Sequence, residues 1–360
     1  MRAIAGAMLA AGLATACGSG PGTPAAAPTP TTTRDPAPRE AIEVDVEGLP
    51  LGEFDRSDLE FSGLDRWGDR VVILPQYPER LGNALLAFDV TALDAFLDGR
   101  SAELPIEHVP FDGSAVELEF DAEPNLGVFE GYEAIAFAGD RVFLTVEVHG
   151  ASDGAVGYLV HGHVDPERGV VLDDARIPLG GPYGDAAPAS ARNLGFEALF
   201  VERDAVFALF ERNDASNPSP MAERFTLDAS ARSTVPMGHV EYRITDATTD
   251  PRTGRIWVTN YHWPPSPWTP GRDPLRARWG TGPTQGKSQA VERIVELEWH
   301  GGRLAPAPRP PIDFKLAEVN ERDSRNWEGI AYIEGRGFVV VTDEHPRSIL
   351  GFVPFDANAR

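Results

Sequence analysis

The chain is 360 residues long and 42% hydrophobic, with a formal charge of −23 and a single cysteine, Cys17. That length allows one large or two ordinary domains with a sizeable core. The acidity excludes nucleic acid as a partner, because a phosphate backbone demands a basic footprint, and the lone cysteine excludes a disulfide within the monomer.

Arg2 opens a short apolar run, Ala3 to Leu13, too short to span a bilayer as a mature helix. It ends Leu13-Ala14-Thr15-Ala16-Cys17, which resembles a bacterial lipoprotein signal; Ala14 departs from the leucine more usual there. A lipid on Cys17 would explain its solitary presence and anchor the protein in the bacterial cell envelope, periplasmic or surface-exposed. A plain secretory signal is the alternative. Residues 18–41 are rich in Pro, Thr, Ala and Gly and read as a disordered tether. Residues 42–360 read as one β-propeller domain.

The reason is an internal repeat. Asn326–His345 reads as a β-hairpin, two β-rich runs around the turn Glu334-Gly335-Arg336-Gly337. The same pattern recurs at Phe61–Pro78, Tyr132–His149, Phe196–Asn213 and Thr245–His262. Five irregularly spaced hairpins predict an all-β, five-bladed propeller with four-stranded antiparallel blades. In chain order the expected strands are 58–67, 70–75, 84–90 and 103–111; 132–137, 141–148, 157–164 and 170–179; and 196–201, 205–211, 222–227 and 233–242. They continue with 244–249, 255–261, 291–299 and 312–319, and then 327–333, 337–342 and 349–355. The last blade is one strand short, and the N-terminal strand Ile42–Pro50 would supply it and close the ring. Thr91–Leu97 reads as one or two helical turns; no other helix is expected.

In a propeller the first strand of each blade lines the axis. Its opening residues here are Ser62, Glu133, Glu197, Asp246 and Glu328, with Thr245 competing for the position assigned to Asp246. Carboxylates crowded in a narrow channel repel one another in a low dielectric. Either some stay protonated or a cation joins them. An all-oxygen, acidic donor set favours Ca²⁺ over Mg²⁺ or zinc. Alternatively, these carboxylates only cap strand starts. The pattern resembles the calcium-activated nucleotidase (apyrase) family of five-bladed propellers and covers the five hairpins. The resemblance implies one central Ca²⁺ held by Glu and Ser at the innermost strand starts, with Asp246 or Thr245 where that family has Ser. Phytase-like bacterial propellers are a second similar group, sharing the Glu-Gly/Ala-Ile start.

The second strands end at His149, Asn213, His262 and His345, which would form a rim able to bind a metal or exchange protons. The longest insertion, 263–289, carries Arg272, Arg276, Arg278 and Lys287 against one Asp, together with Trp263, Trp268 and Trp279. A loop of this kind suits an anionic or ring-bearing ligand; a lid or a contact to another protein are the alternatives. No Gly-x-Ser-x-Gly elbow, Walker loop or His-Glu-x-x-His occurs. The sequence therefore points to a calcium-binding envelope propeller that hydrolyses a phosphoester or phosphoanhydride, or else to a non-catalytic scaffold whose Ca²⁺ is structural.

Overall fold

The computed structural model describes residues 41–152, 154–182, 194–217, 219–266, 268–317, 324–343 and 347–356. The signal segment with Cys17, residues 18–40 of the tether and His345 lie outside these. Among the described residues no helix is long and apolar enough to cross a membrane.

The fold is mostly β. Two short strands come first, β1 (Ile42–Val44) and β2 (Glu47–Leu49). A meander follows: β3 (Phe61–Trp67), β4 (Arg70–Pro75), β5 (Ala84–Asp89) and β6 (Glu107–Asp112). The next is β7 (Val128–Ala138), β8 (Arg141–His149), β9 (Ala155–Asp165) and β10 (Gly169–Gly180). Then come β11 (Phe196–Glu202), β12 (Ala205–Phe210), β13 (Met221–Thr226) and β14 (Arg232–Pro236). After these are β15 (Arg243–Thr249), β16 (Ile256–His262), β17 (Val291–His300), β18 (Arg303–Pro306) and β19 (Ile312–Phe314). The chain closes with β20 (Trp327–Ile333), β21 (Gly337–Thr342) and β22 (Leu350–Pro354).

The strand order is β3-β4-β5-β6-β10-β9-β8-β7 in an eight-stranded sheet, β11-β12-β13-β14 and β2-β22-β21-β20 in two four-stranded sheets, and β1-β19-β17-β16-β15 with β18 beside β17 in the last. The eight-stranded sheet arises because two meanders share an outer edge, where β6 and β10 pair in parallel through Val170 and Phe111. The strands β3, β7, β11, β15 and β20 pack side by side in that order, and β20 returns against β3.

Strand periodicity explains the packing. Alternate residues of a strand face opposite sides. In β4, Val72 and Leu74 point into a core shared with β7–β9 (Ile135, Leu144, Val160), whereas Val71 and Ile73 point into one shared with β20–β22 (Ala331, Val339, Phe352). Three further cores fill the junctions of β7–β9 with β11–β13, of β11–β13 with β15–β17, and of β15–β17 with β20–β22. These strands are buried on both faces, so they read as continuous apolar runs.

The N-terminal segment departs from expectation. Instead of one strand over Ile42–Pro50, β1 runs parallel to β19 and β2 runs antiparallel to β22, so the chain start stitches two sheets together. The strand expected over 312–319 is shortened to β19 over its described part, with 318–319 outside the described residues, and β18 is added before it. β18 covers one half of β17 and β19 the other, separated by Pro308, Pro310 and Pro311, which lack the N–H a ladder needs. The expected helical turn is α1 (Val90–Leu97). Two helices were not expected: α2 (Ser114–Ala122), which buries Val116 and Phe120 one turn apart, and α3 (Pro274–Trp279), inside the long insertion.

Candidate functional site

Each first strand carries a β-bulge at the same place. The ladders slip between Phe61 and Gly63, Tyr132 and Ala134, Phe196 and Ala198, Ile244 and Asp246, and Trp327 and Gly329. A bulge leaves one residue without a partner and re-aims its side chain. The residues so released are Ser62, Glu133, Glu197, Thr245 and Glu328. The register therefore places Thr245, not Asp246, in the series.

The hydroxyl and carboxylate members do different things. Ser62 Oγ donates to the carbonyl of Tyr132 at 2.7 Å, and Thr245 Oγ1 donates to that of Trp327 at 2.5 Å. Each hydroxyl thus ties its strand to the residue just before the next strand's glutamate. Asp246 is fully buried one residue further along, and its carboxylate accepts from the amides of Ala247 and Ile330, both at 2.8 Å, and of Leu64 at 3.2 Å. It binds three strands together and does not join the glutamates.

Glu133, Glu197 and Glu328 form an acidic cluster with residues from the second strands. One residue beyond the partner of the residue before each bulge stand Gln76, Glu147, Glu211, Tyr261 and Asp343. Gln76 Nε2 donates to Glu133 Oε1 at 2.8 Å. Burial pushes Glu133 well above the usual carboxylate range, and the charge of Glu147 adds to it. Burial also raises Glu197, helped by Glu211 and Glu328, and raises Glu328, helped by Asp343 and Glu211. Glu147 is pushed up to about 7, first by burial and then by Glu211. One cation of the chain itself enters this group: Arg243 Nη1 lies 2.6 Å from Glu211 Oε1 and 3.4 Å from Tyr261 Oη. Among the described residues six carboxyls thus share the Arg243 guanidinium, with Arg212 adding a weaker pull on Glu211. Glu197 Oε2 is buried without a hydrogen-bond partner. Among the described residues no three His, Cys, Asp or Glu side chains stand as a ready-made metal cage, so an ion would have to draw the carboxylates inward.

Of the rim residues nominated from sequence, three lie among the described residues and have unlike surroundings. His149 is exposed, its Nδ1 3.8 Å from a Glu130 carboxylate oxygen. Asn213 is buried and turns back to donate to the carbonyl of Phe210. His262 stacks on Tyr242 and meets Trp268 edge-on at 5.4 Å; burial, then Arg243, lowers it to about 4, which keeps it neutral. The arginines of the insertion do not converge either. Arg272 and Arg278 are exposed, and Arg278 lies over the ring of Trp279. Arg276 turns inward to Gln285 Oε1 at 3.2 Å.

The insertion is nonetheless ordered. Asp273 caps α3 by accepting from the amide of Leu275 at 2.8 Å, and its other oxygen pairs with the buried Arg293 at 2.7 Å. Trp268 is buried, with the Arg212 guanidinium 4.5 Å above its ring. Between the insertion and the acidic cluster lies a cavity of 240 Å³ lined by Arg243, Tyr261, His262, Trp268, Ser324 and Asn326, with the half-exposed Trp263 beside them.

No family model matches this chain, and no curated protein matches it. Among solved structures it is similar to a GH43_1 enzyme from Xanthomonas citri, at 9% identity and a TM-score of 0.43 over 88% of this chain and 92% of that one. It is also similar to a glucose dehydrogenase, at 13% identity and a TM-score of 0.42 over 87% and 99% of the two chains. A third similar structure is the hydrazine synthase of Kuenenia stuttgartiensis, at 14% identity and a TM-score of 0.34 over 81% and 77%. Overlap at this level transfers no activity or substrate to the present chain.

Proposed function

We propose that the chain is a five-bladed β-propeller, carried in the bacterial cell envelope by a lipid on Cys17, whose axial mouth binds Ca²⁺. The observation that carries this reading is the gathering of Glu133, Glu197 and Glu328 with Glu147, Glu211 and Asp343 around Arg243. Carboxyls buried together must either hold protons or share a cation. The donors are all oxygens and come from flexible side chains, which suits a hard ion that tolerates irregular geometry and about six to eight ligands. Glu133, Glu197 and Glu328 would hold it, with Glu147, Glu211 and Asp343 in support and the hydroxyls of Ser62 and Thr245 at the margin.

Bound there, the ion would polarise an ester or anhydride oxygen. The chain's own residues supply the rest. Arg243 faces both the acidic mouth and the cavity, so it can hold the anionic end of a substrate by charge-assisted hydrogen bonds. Tyr261, Trp268 and the neutral His262 wall the cavity on one side, and water reaching the open side would be the attacking group. Hydrolysis of a phosphoester or phosphoanhydride is the activity that joins these parts.

A scaffold with a purely structural ion is the second reading, favoured by Arg243 being already committed to Glu211 at 2.6 Å. Melting curves with EDTA, Mg²⁺ and Ca²⁺, run beside a phosphate-release assay, separate the two. The enzyme reading expects a calcium-specific rise in melting temperature and turnover that Glu133→Gln abolishes with the fold retained. A rise without turnover supports the scaffold, and no rise removes both.

A further inference from the structure

The cavity between the insertion and the acidic mouth holds polar atoms that nothing in the protein uses. Ser324 Oγ and Asn326 Oδ1 line it, and both are buried without a hydrogen-bond partner. Buried polar groups are nearly always satisfied, so a pair left over at the wall of one cavity marks a ligand's contacts. Asn326 gives one of its two amide hydrogens to Asp343 Oδ2 at 3.0 Å, while its Oδ1 is left as an acceptor without a partner. Arg243 offers only donors. A ligand matching both carries an anionic group at one end and an N–H or O–H at another.

The walls define its body. Trp268 cannot move freely, since Arg212 lies over it and His262 meets its edge. Tyr261, His262 and Trp268 present flat aromatic surfaces. The volume of 240 Å³ falls below the range of about 300–1,000 Å³ typical of sites that enclose drug-sized ligands. One ring fills this space; a ring joined to a sugar and a phosphate chain would extend out of it.

We propose that this cavity binds a small single-ring organic anion, a carboxylate or phosphate monoester that also bears a hydrogen-bond donor. The proposal deepens the reading of the mouth as a cation site and rests on it for one feature, a linkage. Arg243 divides its guanidinium between Glu211 and the cavity. An ion on the carboxylates frees Arg243 for the anion, so each ligand tightens the other by the same factor.

The test titrates 4-hydroxybenzoate and 4-hydroxyphenyl phosphate into the protein in EDTA and again in Ca²⁺, with binding read by calorimetry and tryptophan fluorescence. Uncharged 4-methylphenol is the control. Both anions, or the one whose head group the site prefers, should bind at least tenfold tighter than the phenol, and Ca²⁺ should improve that about fivefold or more. Arg243→Gln alone would strand Glu211, so Arg243→Gln with Glu211→Gln is the informative variant. It should lose tenfold or more in anion affinity, and Trp268→Leu should quench less and bind more weakly. Equal affinity for the phenol, unchanged binding in the double variant, or no binding at millimolar concentration overturns the proposal. Loss of anion binding beside an intact calcium shift in melting overturns the cavity assignment alone. Anion binding in EDTA that Ca²⁺ leaves unaltered, with unshifted melting, overturns the linkage and the cation reading while the cavity keeps its ligand.

Discussion

Asp246, fully buried, and Glu197, half-buried, are carboxylates on first strands one residue apart in register, and their surroundings are opposite. Asp246 accepts three backbone amides from three strands and has nothing left to give a ligand. Glu197 has an oxygen with no partner and is flanked by Glu211 and Glu328. The bulge makes the difference: it releases the side chain at one position, and the next residue falls back inside the stack of strands. One carboxylate thus serves cohesion, and the other keeps an oxygen without a hydrogen-bond partner.

Removing Asp246 should produce the largest effect. Asp246→Ala leaves the amides of Leu64, Ala247 and Ile330 unpaired in the core and should cost about 3–5 kcal/mol, read by urea unfolding. A loss below about 1 kcal/mol would erase the contrast with Glu197. Glu197→Gln should go the other way in EDTA, unfolding at slightly higher urea because a repelling charge is gone. Next in size is the response to Ca²⁺. At a hundredfold excess over its dissociation constant the ion should stabilise the wild type by about 2.7 kcal/mol, or about 5 °C in melting temperature. Glu197→Gln should lose most of that shift, whereas an Asp246→Asn variant that still folds should keep it.

Gly131 permits a smaller and more local test. Its φ is +125°, and a Cβ there would stand 2.4 Å from Gln76 Cγ, the side chain that holds Glu133 by a 2.8 Å bond. Gly131→Ala should cost about 1–3 kcal/mol and displace Gln76. If Gln76 orients Glu133, the calcium shift should shrink in this variant as well. A full calcium shift in a destabilised Gly131→Ala would show that Glu133 finds its position without Gln76.

Much of this arrangement is legible in the sequence. The hairpins at Phe61–Pro78, Tyr132–His149, Phe196–Asn213 and Thr245–His262 align by eye because both faces of these strands are buried, which leaves uninterrupted apolar runs. Glu133, Glu197 and Glu328 could be read for the same reason, as charges at matched places beside such runs. The choice between Thr245 and Asp246 could not, because a bulge shifts register by one residue without leaving a sequence mark. Glu147, Glu211 and Asp343 occupy matched places too, but each stands two residues before a more conspicuous polar residue, His149, Asn213 or His345, which hides it in the sequence. Arg243 had no signal. It precedes its bulge where the other hairpins have Glu60, Gly131, Gly195 and Asn326, and its role depends on neighbours from other sheets. The arginines of the insertion are conspicuous by number, but the capped helix α3 turns Arg278 outward and Arg276 inward, and Arg272, just before it, is exposed.

The smallest effect expected is that of pH, and it distinguishes the opposite stretch of the first strands from the mouth. Asp65, on β3 beyond Leu64, accepts from the amide of Phe137 at 2.6 Å, yet burial pushes its carboxyl up to about 7. Its folded form keeps a proton that the unfolded chain releases near 4, so stability is greatest below that pH and is lost as pH rises toward 7. Glu147 adds a loss over the same window. His262 acts in reverse: lowered to about 4 from 6.5, it contributes stability above 6.5 that is lost as pH falls toward 4. Glu133, Glu197 and Glu328, also raised by burial, act in the same sense as the two carboxyls, so in EDTA the carboxyls should outweigh the one imidazole and stability should decline between pH 5 and pH 7. Asp65→Asn should remove part of that decline whether or not Ca²⁺ is present, because Asp65 does not touch the mouth. Glu147→Gln should remove another part in EDTA and almost none in Ca²⁺, where the ion already holds that carboxylate ionised. If both substitutions respond to Ca²⁺ alike, the two ends of these strands are not electrostatically separate, and the cation's influence extends down the whole axis.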